Sequence, residues 1–258
     1  FSGNDRPGIM LASAARTYLN QYGVAVGNNV AVYTANESAY WAAIDLRKAG
    51  VGVRTIIDLR DNPTGPAVEQ ARSLGIEVLP SRAVTAVGGR LRIASVTVTP
   101  KTGEGTGRNI PVDALLMSAG WTPSVHLFSQ SRGKVAFDAA TQRFLPGTYA
   151  QDCACVGSCN GTDDLASAVK EAVAAGERAA RAAAGARPET RTSIKVDASE
   201  GWSAGMVGAA PGAGRDSTVK AFVDFQNDVT AKDIRQAVKE GMRSIEHVKR
   251  FTTNGMAT

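Results

Sequence analysis

The feature that most constrains this chain is a regular alternation of strand and helix patterns between residues 30 and 80. Short runs rich in β-branched residues alternate with segments of helical periodicity. The strand patterns cover 30–34, 53–59 and 76–80, and the helical patterns cover 38–50 and 65–75. Strands separated by helices predict a parallel sheet built from βαβ units. The sequence therefore predicts an α/β fold.

The segments around this core extend the prediction to residues 1–186. Before the core, Pro7 and Gly23 are typical of the two ends of a helix. After it, paired strand patterns around Gly88-Gly89 predict an antiparallel hairpin, inserted locally into the α/β domain. The predicted elements outside the core are a helix at 7–22, a hairpin at 83–98, strands at 113–120 and 153–157, and an Ala-rich helix at 162–184.

The end of the chain predicts a small separate helical domain. Residues 187–218 are rich in Gly, Pro, Ser and Thr, which is typical of a linker, and residues 219–258 follow it. Thr230 and Asp233 form a capping pair for one helix, and Ser244 is expected to start a second. The residues expected to face inward are Ile234, Ala237, Val238, Ile245 and Val248.

Composition narrows the classes of function. Hydrophobic residues make up 43% of the chain, enough for a packed core. No apolar run reaches about 18 residues and no secretory leader is visible, so we expect a cytoplasmic protein without a membrane span. The net charge of +5 is spread along the chain, and only 6% of residues are aromatic, so nucleic-acid binding has little support. The start at Phe1 is compatible with a piece of a longer polypeptide.

Three cysteines fall in the stretch DCACVGSCNG, at positions 153, 155 and 159. An odd, clustered set does not predict a disulfide framework. A metal site would need a fourth ligand, and His126 and His247, the only histidines, are far away in sequence. We therefore expect the cysteines to act as small apolar residues in a buried strand and its turn.

The unit from Val30 to Asp58 has the anatomy of a Rossmann-like nucleotide-binding βαβ. Asp58 lies 24 residues after Thr34, where a carboxylate can receive ribose hydroxyls. The first two glycines of the fingerprint are replaced by Thr34 and Asn36, and only Ala39 fits the third position. Two interpretations stay open: a modified dinucleotide site, or a unit kept for architecture alone. In an occupied site Asp58 favours a free 2′-hydroxyl, whereas Arg60 could turn toward a 2′-phosphate.

A second nucleotide signal is the pair MSAGWTPSVHLF (117–128) and CVGSCNGTDDLASAV (155–169). In each, an apolar strand pattern runs into a turn of small residues. The second turn is predicted to open a helix, and the free N–H groups of a helix start can receive a phosphate. We therefore expect NAD contacts at the second turn and not at Thr34 to Asn36. The candidate residues are Gly157, Ser158, Cys159, Asp163, Asp164 and Leu165, together with Gly120 and Trp121.

This order of segments resembles the two-dinucleotide-domain flavoprotein reductases. The resemblance implies that one nucleotide unit is inserted within another, and that the other half of the outer site lies upstream of Phe1. The domain would then be incomplete at its N-terminal side. Ser158 stands where those reductases have the Asp that holds the flavin ribityl chain.

Three stretches resemble the α subunits of heterotetrameric sarcosine oxidases: GNDRPGIMLASA, MSAGWTPSVHLFSQSRGK and KAFVDFQNDVTAKDIRQAVKEGMRSIEHVKRFTTNGMAT. The resemblance implies a bacterial cytoplasmic enzyme that demethylates sarcosine to glycine, with hydrogen peroxide and a folate-bound one-carbon unit as products. It implies NAD in this subunit, FMN at the interface with the β subunit, and FAD and tetrahydrofolate elsewhere in a complex with β, γ and δ subunits. The amine-oxidising site would lie outside this chain, which then has no catalytic residues of its own.

Residues 219–258 also resemble bacterioferritin-associated-ferredoxin-like domains, which hold a [2Fe–2S] cluster. Asp224 and Gln226 occupy the first two cysteine positions, and neither supplies a thiolate. We therefore expect residues 219–258, here called the clip, to keep the shape of such a domain without binding a cluster. The clip could line the FMN site with Lys249, Arg250, Thr252 and Thr253, or these residues could form a solvated helix end. Two other interpretations of the chain remain: a related proline dehydrogenase or hydrogen cyanide synthase α subunit, and a non-catalytic scaffold.

Overall fold

The alternating segments form a five-stranded parallel sheet. Its strands lie in the order Ile9–Leu11 (β1), Ala114–Ser118 (β8), Asn29–Thr34 (β2), Gly52–Asp58 (β3) and Glu77–Leu79 (β4). The computed structural model describes residues 1–103, 105–184, 194–196 and 219–256. The predicted linker at 187–218 lies outside these residues, apart from 194–196. The first elements are β1 Ile9–Leu11, α1 Ala12–Tyr22, β2 Asn29–Thr34, α2 Ser38–Lys48, β3 Gly52–Asp58, α3 Pro66–Ser73 and β4 Glu77–Leu79.

The sheet lies between two layers because its strands are apolar on both faces. Val30 and Val32 of β2 pack on one side in a core with α1, α2 and α3. Ala31 and Tyr33 point to the other side and join a core with residues 83–112. Strands that are buried on both faces appear in the sequence as continuous hydrophobic runs. This is why the runs at 30–34 and 53–59 identified the parallel sheet, and the predicted α/β class is confirmed.

The predicted helix at 7–22 is wrong in its first turn. Pro7 does not begin it, because Gly8 adopts a φ of 99° and residues 9–11 are extended. A side chain at Gly8 would lie 2.8 Å from the Asp113 carbonyl. The short strand β1 pairs with residues 115–117, so pairing across the chain overrides the local helix signal.

The predicted hairpin is part of a larger antiparallel sheet of three strands. Its turn is longer than Gly88-Gly89 alone, since the connection runs from Gly89 to Ala94. A third strand, which the sequence did not indicate, pairs with the second. The strands are β5 Arg82–Gly88, β6 Ser95–Pro100 and β7 Arg108–Pro111. This sheet covers the face of the parallel sheet opposite the helices.

The chain then returns to the parallel sheet in β8 Ala114–Ser118 and continues into α4 His126–Gln130, β9 Lys134–Asp138 and β10 Arg143–Thr148. The predicted strand at 153–157 is wrong: residues 153–156 are irregular and lead into a 3₁₀ turn at Gly157–Asn160. The Ala-rich helix α5 is Leu165–Ala184, so it begins three residues later than predicted. The antiparallel pair of β9 and β10 was not predicted.

The small C-terminal domain contains β11 Phe222–Asp224, β12 Val229–Thr230, α6 Ala231–Lys239 and α7 Ile245–Thr252. The capping box of Thr230 and Asp233 is present. Val248 is buried as predicted, but Val238 and Ile245 are 58% and 75% exposed, so their predicted inward orientation is wrong. Asn4 attaches the domain by a pair of 2.8 Å hydrogen bonds with the Phe222 backbone.

Within the described parts of the chain, no helix is both long and apolar enough to cross a membrane.

Truncation of Leu116 to Ala tests the central place of β8. Leu116 is fully buried, so we expect the free energy of unfolding to fall by about 2–5 kcal/mol in denaturant titrations. Leu127 is the control, because it is 86% exposed and its truncation should change stability by no more than about 0.5 kcal/mol. Equal effects of the two changes would contradict the central position of β8.

Candidate functional site

A polar crevice lies at the carboxyl ends of the parallel strands, where α/β sheets usually bind ligands. Its volume is about 330 Å³. Strand β8 ends here, between the strands that lead into α1 and α2. The polar residues that line the crevice are Ser13, Arg16, Thr17, Asn20 and Gln21 of α1, Ser38 of α2, and Ser118 and Trp121 after β8. The candidate site therefore combines the predicted Trp121 with residues of α1 that were not predicted.

One pattern in the sequence could have identified the α1 residues that line the crevice. Ser13, Arg16 and Asn20 are spaced by three and four residues, which places them on one face of a helix. Arg16 and Asn20 both donate hydrogen bonds to the Asp45 carboxylate, at 2.7 and 3.1 Å. The polar stripe is thus tied to α2 while it lines the crevice.

The turn after β2 is closed by its own side chains. Asn36 is fully buried, and its side-chain amide donates to the Ser118 hydroxyl at 3.0 Å. Its side-chain oxygen accepts the backbone N–H of Ser38, also at 3.0 Å. A dinucleotide fingerprint needs glycine here, so that the pyrophosphate can approach the backbone. In this chain the Asn36 side chain blocks that approach, and its hydrogen bond to Ser118 holds the turn against β8.

Asp58 lies in a buried network at the end of β3. Its side chain is fully buried, and its carboxylate accepts hydrogen bonds from the Tyr40 hydroxyl at 2.7 Å and the Arg60 guanidinium at 2.8 Å. The backbone N–H of Arg60 donates a further bond at 2.8 Å, and its guanidinium also contacts Glu37 at 3.0 Å. The carboxylate predicted to receive a ribose is thus engaged within the protein, which favours the architectural interpretation of this unit.

The charges of this network shift the neighbouring groups. Burial raises the pKa of Tyr40, and the nearby Asp58 carboxylate raises it further. For Arg60, burial lowers the pKa, but hydrogen bonds and attraction from Asp58 outweigh that effect, and the net pKa is raised. Both shifts favour the present protonation states, a neutral Tyr40 and a charged Arg60.

The second candidate turn brings Gly157, Ser158, Cys159, Asp163, Asp164 and Leu165 together. Gly157 and Gly161 adopt φ values of 66° and 85°, a region that favours glycine. The Glu171 carboxylate of α5 accepts the Gly157 N–H at 2.9 Å and the Thr162 hydroxyl. These hydrogen bonds, chiefly the one from the Thr162 hydroxyl, lower the pKa of Glu171. The turn is therefore fastened to α5 by one carboxylate.

Two further acidic residues organise the start of α5. Asp164 accepts the Ser167 N–H at 3.0 Å, as a capping residue does. Asp163 pairs with the guanidinium of Arg143, which is only 4% exposed, at 2.9 Å. Arg143 belongs to the unpredicted β10, so this pair could not be predicted from the sequence. The arrangement presents the exposed Ser158 and Asp164 to a ligand, while the Asp163 carboxylate and the Gly157 N–H are already engaged.

The cysteines are not the buried apolar residues that we expected. Cys153 is exposed, and Cys155 and Cys159 are half-buried. The expected strand is missing, so their side chains do not alternate into a core. Across the described ranges, no group of three His, Cys, Asp or Glu side chains is placed to hold a metal ion.

In the small domain, the Asp224 side chain joins two turns by hydrogen bonds. Its carboxylate accepts the N–H groups of Gln226 at 2.9 Å, Asn227 at 3.1 Å and Gly255 at 2.7 Å. The Asn227 side-chain amide donates a fourth bond at 2.9 Å. These bonds, above all those from Asn227 and Gly255, lower the pKa of Asp224 to about 2. Asp224, which we predicted to stand at the first cluster-ligand position, thus joins the turn after β11 to the turn after α7.

The predicted FMN-lining residues lie at the end of α7. Lys249 and Arg250 occupy its last turn, where cations are favourable beside free carbonyl groups. Thr252 donates to the Val248 carbonyl at 2.7 Å, and Thr253 ends the helix with a φ of 65°. Their local geometry accounts for the helix end, and contact with FMN stays a prediction.

The fold defines a Rossmann-type α/β unit with a small attached helical domain. Residues 218–258 match the family described as the Sarcosine oxidase A3 domain. The chain is 38% identical over its full length to the sarcosine oxidase subunit alpha of Rhizobium meliloti, and 35% identical over 98% of its length to that of Corynebacterium strain P-1. It covers 25% and 27% of those two proteins. The chain belongs to the family of these α subunits, as its sequence predicted, and corresponds to about a quarter of their length.

A solved structure shows the same fold. The L-proline dehydrogenase of P. horikoshii superposes with a TM-score of 0.58 at 17% identity, over 98% of this chain and 46% of that one. At this identity the likeness concerns the fold alone. It includes both the α/β unit and the small domain, since nearly the whole chain is covered.

Replacement of Asp58 by Asn tests the buried network. We expect a loss of about 3 kcal/mol in the free energy of unfolding, because Arg60 would keep its charge beside a neutral partner. Chemical denaturation measures this loss. The control is Asp61→Asn, because the Asp61 side chain is 71% exposed and its pair with Lys101 lies in solvent. A smaller loss for Asp58 than for Asp61 would refute the structural role of the network.

Acid titration tests the Asp224 closure. The folded-state pKa is lowered to about 2, so the stabilisation should be complete above the unfolded value of about 3.9 and lost as the pH falls toward 2. Asp224→Asn should be less stable than the original protein at pH 7, and the difference should shrink below about pH 4. Thermal unfolding across this range measures the difference. Asp228→Asn is the control, and a difference for Asp224 that does not vary with pH would contradict the assignment.

Proposed function

We propose that this chain is the cofactor-binding part of a sarcosine oxidase α subunit. The complete enzyme would demethylate sarcosine to glycine, with hydrogen peroxide and a folate-bound one-carbon unit as products. The single observation that carries the proposal is the identity of 35–38% along essentially the whole chain to proteins of that name. The amine-oxidising site is assigned to another part of the complex, so this chain contributes binding and assembly.

NAD is the cofactor proposed for this chain, with contacts at Gly157 to Leu165. The exposed Ser158 and Asp164 suit the hydroxyl groups of its riboses, whereas Asp163 would contribute by holding Arg143 beside the turn. The engaged Gly157 N–H makes the turn less suited to a diphosphate than its sequence suggested. Gly120 and Trp121 are further proposed contacts, and of these two Trp121 lines the crevice. The turn at Thr34 to Asn36 is less suitable, because Asn36 and the Asp58 network fill it.

The other cofactors are assigned by family. FMN would lie at the interface with the β subunit, beside Lys249, Arg250, Thr252 and Thr253, while FAD and tetrahydrofolate would bind elsewhere in the complex. The β, γ and δ subunits are the proposed partners, in the cytoplasm. The small domain supports a role in assembly, because Phe225, Ile245 and Phe251 are about half-exposed or more, at 54%, 75% and 48%.

A related dehydrogenase α subunit of the proline dehydrogenase or hydrogen cyanide synthase type is the second candidate. It is favoured by the fold shared with the L-proline dehydrogenase. Asp224 and Gln226 argue against a cluster-binding relative, because neither offers a thiolate to iron. A non-catalytic scaffold is the third candidate, favoured by the closed turn at Asn36.

A tyrosine at position 158 tests the NAD assignment. Ser158→Tyr would fill the exposed side of the turn, so we expect NAD to bind about tenfold more weakly in calorimetric titration of the purified protein. The control is Ser129→Tyr, which adds the same bulk at an exposed position of α4. If both variants bind NAD like the original protein, the turn is not the NAD site. If the original protein binds no NAD, the interpretation as a non-catalytic scaffold is supported instead.

Reconstitution tests the clip without a cluster. We expect anaerobic treatment with iron and sulfide to leave the protein colourless, with its helical content intact, because Asp224 and Gln226 cannot supply thiolates. Visible absorbance and iron analysis measure the result. A variant with Cys153, Cys155 and Cys159 changed to Ser controls for binding by those thiols. Stoichiometric iron with a charge-transfer band in that variant would overturn the prediction.

A further inference from the structure

The indole of Trp121 is held in place where it lines the polar crevice. Trp121 follows β8 in an irregular loop and is 43% exposed. Its Nε1–H donates to the Ser38 hydroxyl at 2.9 Å, and the Ser38 backbone N–H donates in turn to the Asn36 side chain at 3.0 Å. Tryptophan combines a large apolar ring with one polar group. Here the polar group is fixed by α2, while much of the residue stays open to solvent.

Two small residues leave room beside this indole. Ala12 of α1 and Ala42 of α2 both line the crevice, and both are almost fully buried. Their side chains are single methyl groups, so the space next to them is not filled. The crevice volume of about 330 Å³ lies at the lower end of the range for small-molecule sites, about 300–1,000 Å³. It therefore has room for one ring system with its substituents, but not for a whole dinucleotide.

The polar groups of the crevice are almost all uncharged. The residues that line it all belong to the described part of the chain, and Arg16 is the one charged residue among them. Asp45 accepts a hydrogen bond from its guanidinium at 2.7 Å and balances its charge. The other polar residues offer hydroxyl or carboxamide groups, such as those of Ser13 and Gln21, which both donate and accept. This chemistry suits a neutral ligand with amide or amino groups better than a phosphate.

The closed turn after β2 distinguishes this crevice from an ordinary dinucleotide site. In the Rossmann mode of binding, the diphosphate approaches the backbone of that turn. Asn36 is fully buried there and bonded to the Ser118 hydroxyl at 3.0 Å, so this approach is blocked. A ligand in the crevice must therefore bind through its ring and its hydrogen-bonding groups.

We propose that the crevice binds an uncharged, flat heteroaromatic ring that carries amide or amino groups, stacked on the indole of Trp121. Nucleobases and nicotinamide share this chemistry. Each has a π-face for stacking on an aromatic side chain. The side chains of Ser13 and Gln21 are exposed along α1, where they offer hydrogen bonds to the edge of the ring. The proposal does not rest on NAD contacts at Gly157 to Leu165.

Calorimetric titration of the purified full chain tests the proposal with adenosine and nicotinamide as probes. Ribose and cyclohexanecarboxamide are the matched controls, because they keep the sugar and the amide but lack the flat aromatic ring. We expect at least one aromatic probe to bind and neither control to bind. A preference for adenosine identifies a nucleobase site, and a preference for nicotinamide identifies a site for that ring.

Variants of the crevice locate the bound ring. Trp121→Ala should weaken binding of the preferred probe at least about tenfold, while Trp121→Phe, which keeps an aromatic face, should retain most of the affinity. Ser13→Tyr adds bulk at an exposed position of the crevice and should also weaken binding. Tyr22→Ala is the control, because Tyr22 is an aromatic residue of α1 that is 68% exposed and does not line the crevice.

Three results would overturn the proposal: no binding of either aromatic probe, equal binding of a control compound, or unchanged affinity in both Trp121→Ala and Ser13→Tyr. Because the probes contain no diphosphate and the variants leave the second turn intact, a failure of NAD to bind at that turn would not affect these measurements.

Discussion

The structure depends on the insertion of β8 between β1 and β2. This strand pairs in parallel with both neighbours, although it follows them by more than eighty residues in sequence. Asp113, just before it, accepts the N–H groups of Asn28 at 2.9 Å and Asn29 at 2.9 Å. That carboxylate fixes the register of β8 at the start of β2. Without β8, the chain would not return from the three-stranded sheet to the parallel sheet, and the two cores would not share that sheet as their common layer.

The position of β8 also determines the state of the first nucleotide turn. Ser118 ends the strand beside Thr34, whose hydroxyl donates to the Ser118 carbonyl at 3.0 Å. Asn36 adds its own bond to the Ser118 hydroxyl. The hydrogen bonds between β8 and this turn thus engage the polar groups of Thr34 and Asn36, which a bound dinucleotide would otherwise contact. Closure of this turn follows from how the sheet is assembled, and the presence of Thr34 and Asn36 in place of the fingerprint glycines is consistent with it.

The sequence predicted those parts of the fold that depend on local periodicity. The helix at 38–48 and the strand at 52–58 have apolar patterns that their own residues establish. The three-residue strand β1 was missed because its extended form depends on pairing with β8, and Pro7 suggested a helix instead. For the candidate site, Trp121 and the second turn could be predicted from small-residue patterns. The bonds of Glu171 to the second turn could not be predicted, because the position of a carboxylate on a helix does not indicate which turn it will contact.

The small domain is held together by a carboxylate that joins two of its turns. Asp224 accepts N–H groups from its own turn and from Gly255, which follows α7. A carboxylate accepts several hydrogen bonds at once, so a single residue can connect two turns in this way. The Thr230 box and Ser244 cap the two helices, and the side chains of Ala237 and Val248 are buried. The bonds of Asp224, the two caps and the buried side chains together account for the shape of the domain from its own residues.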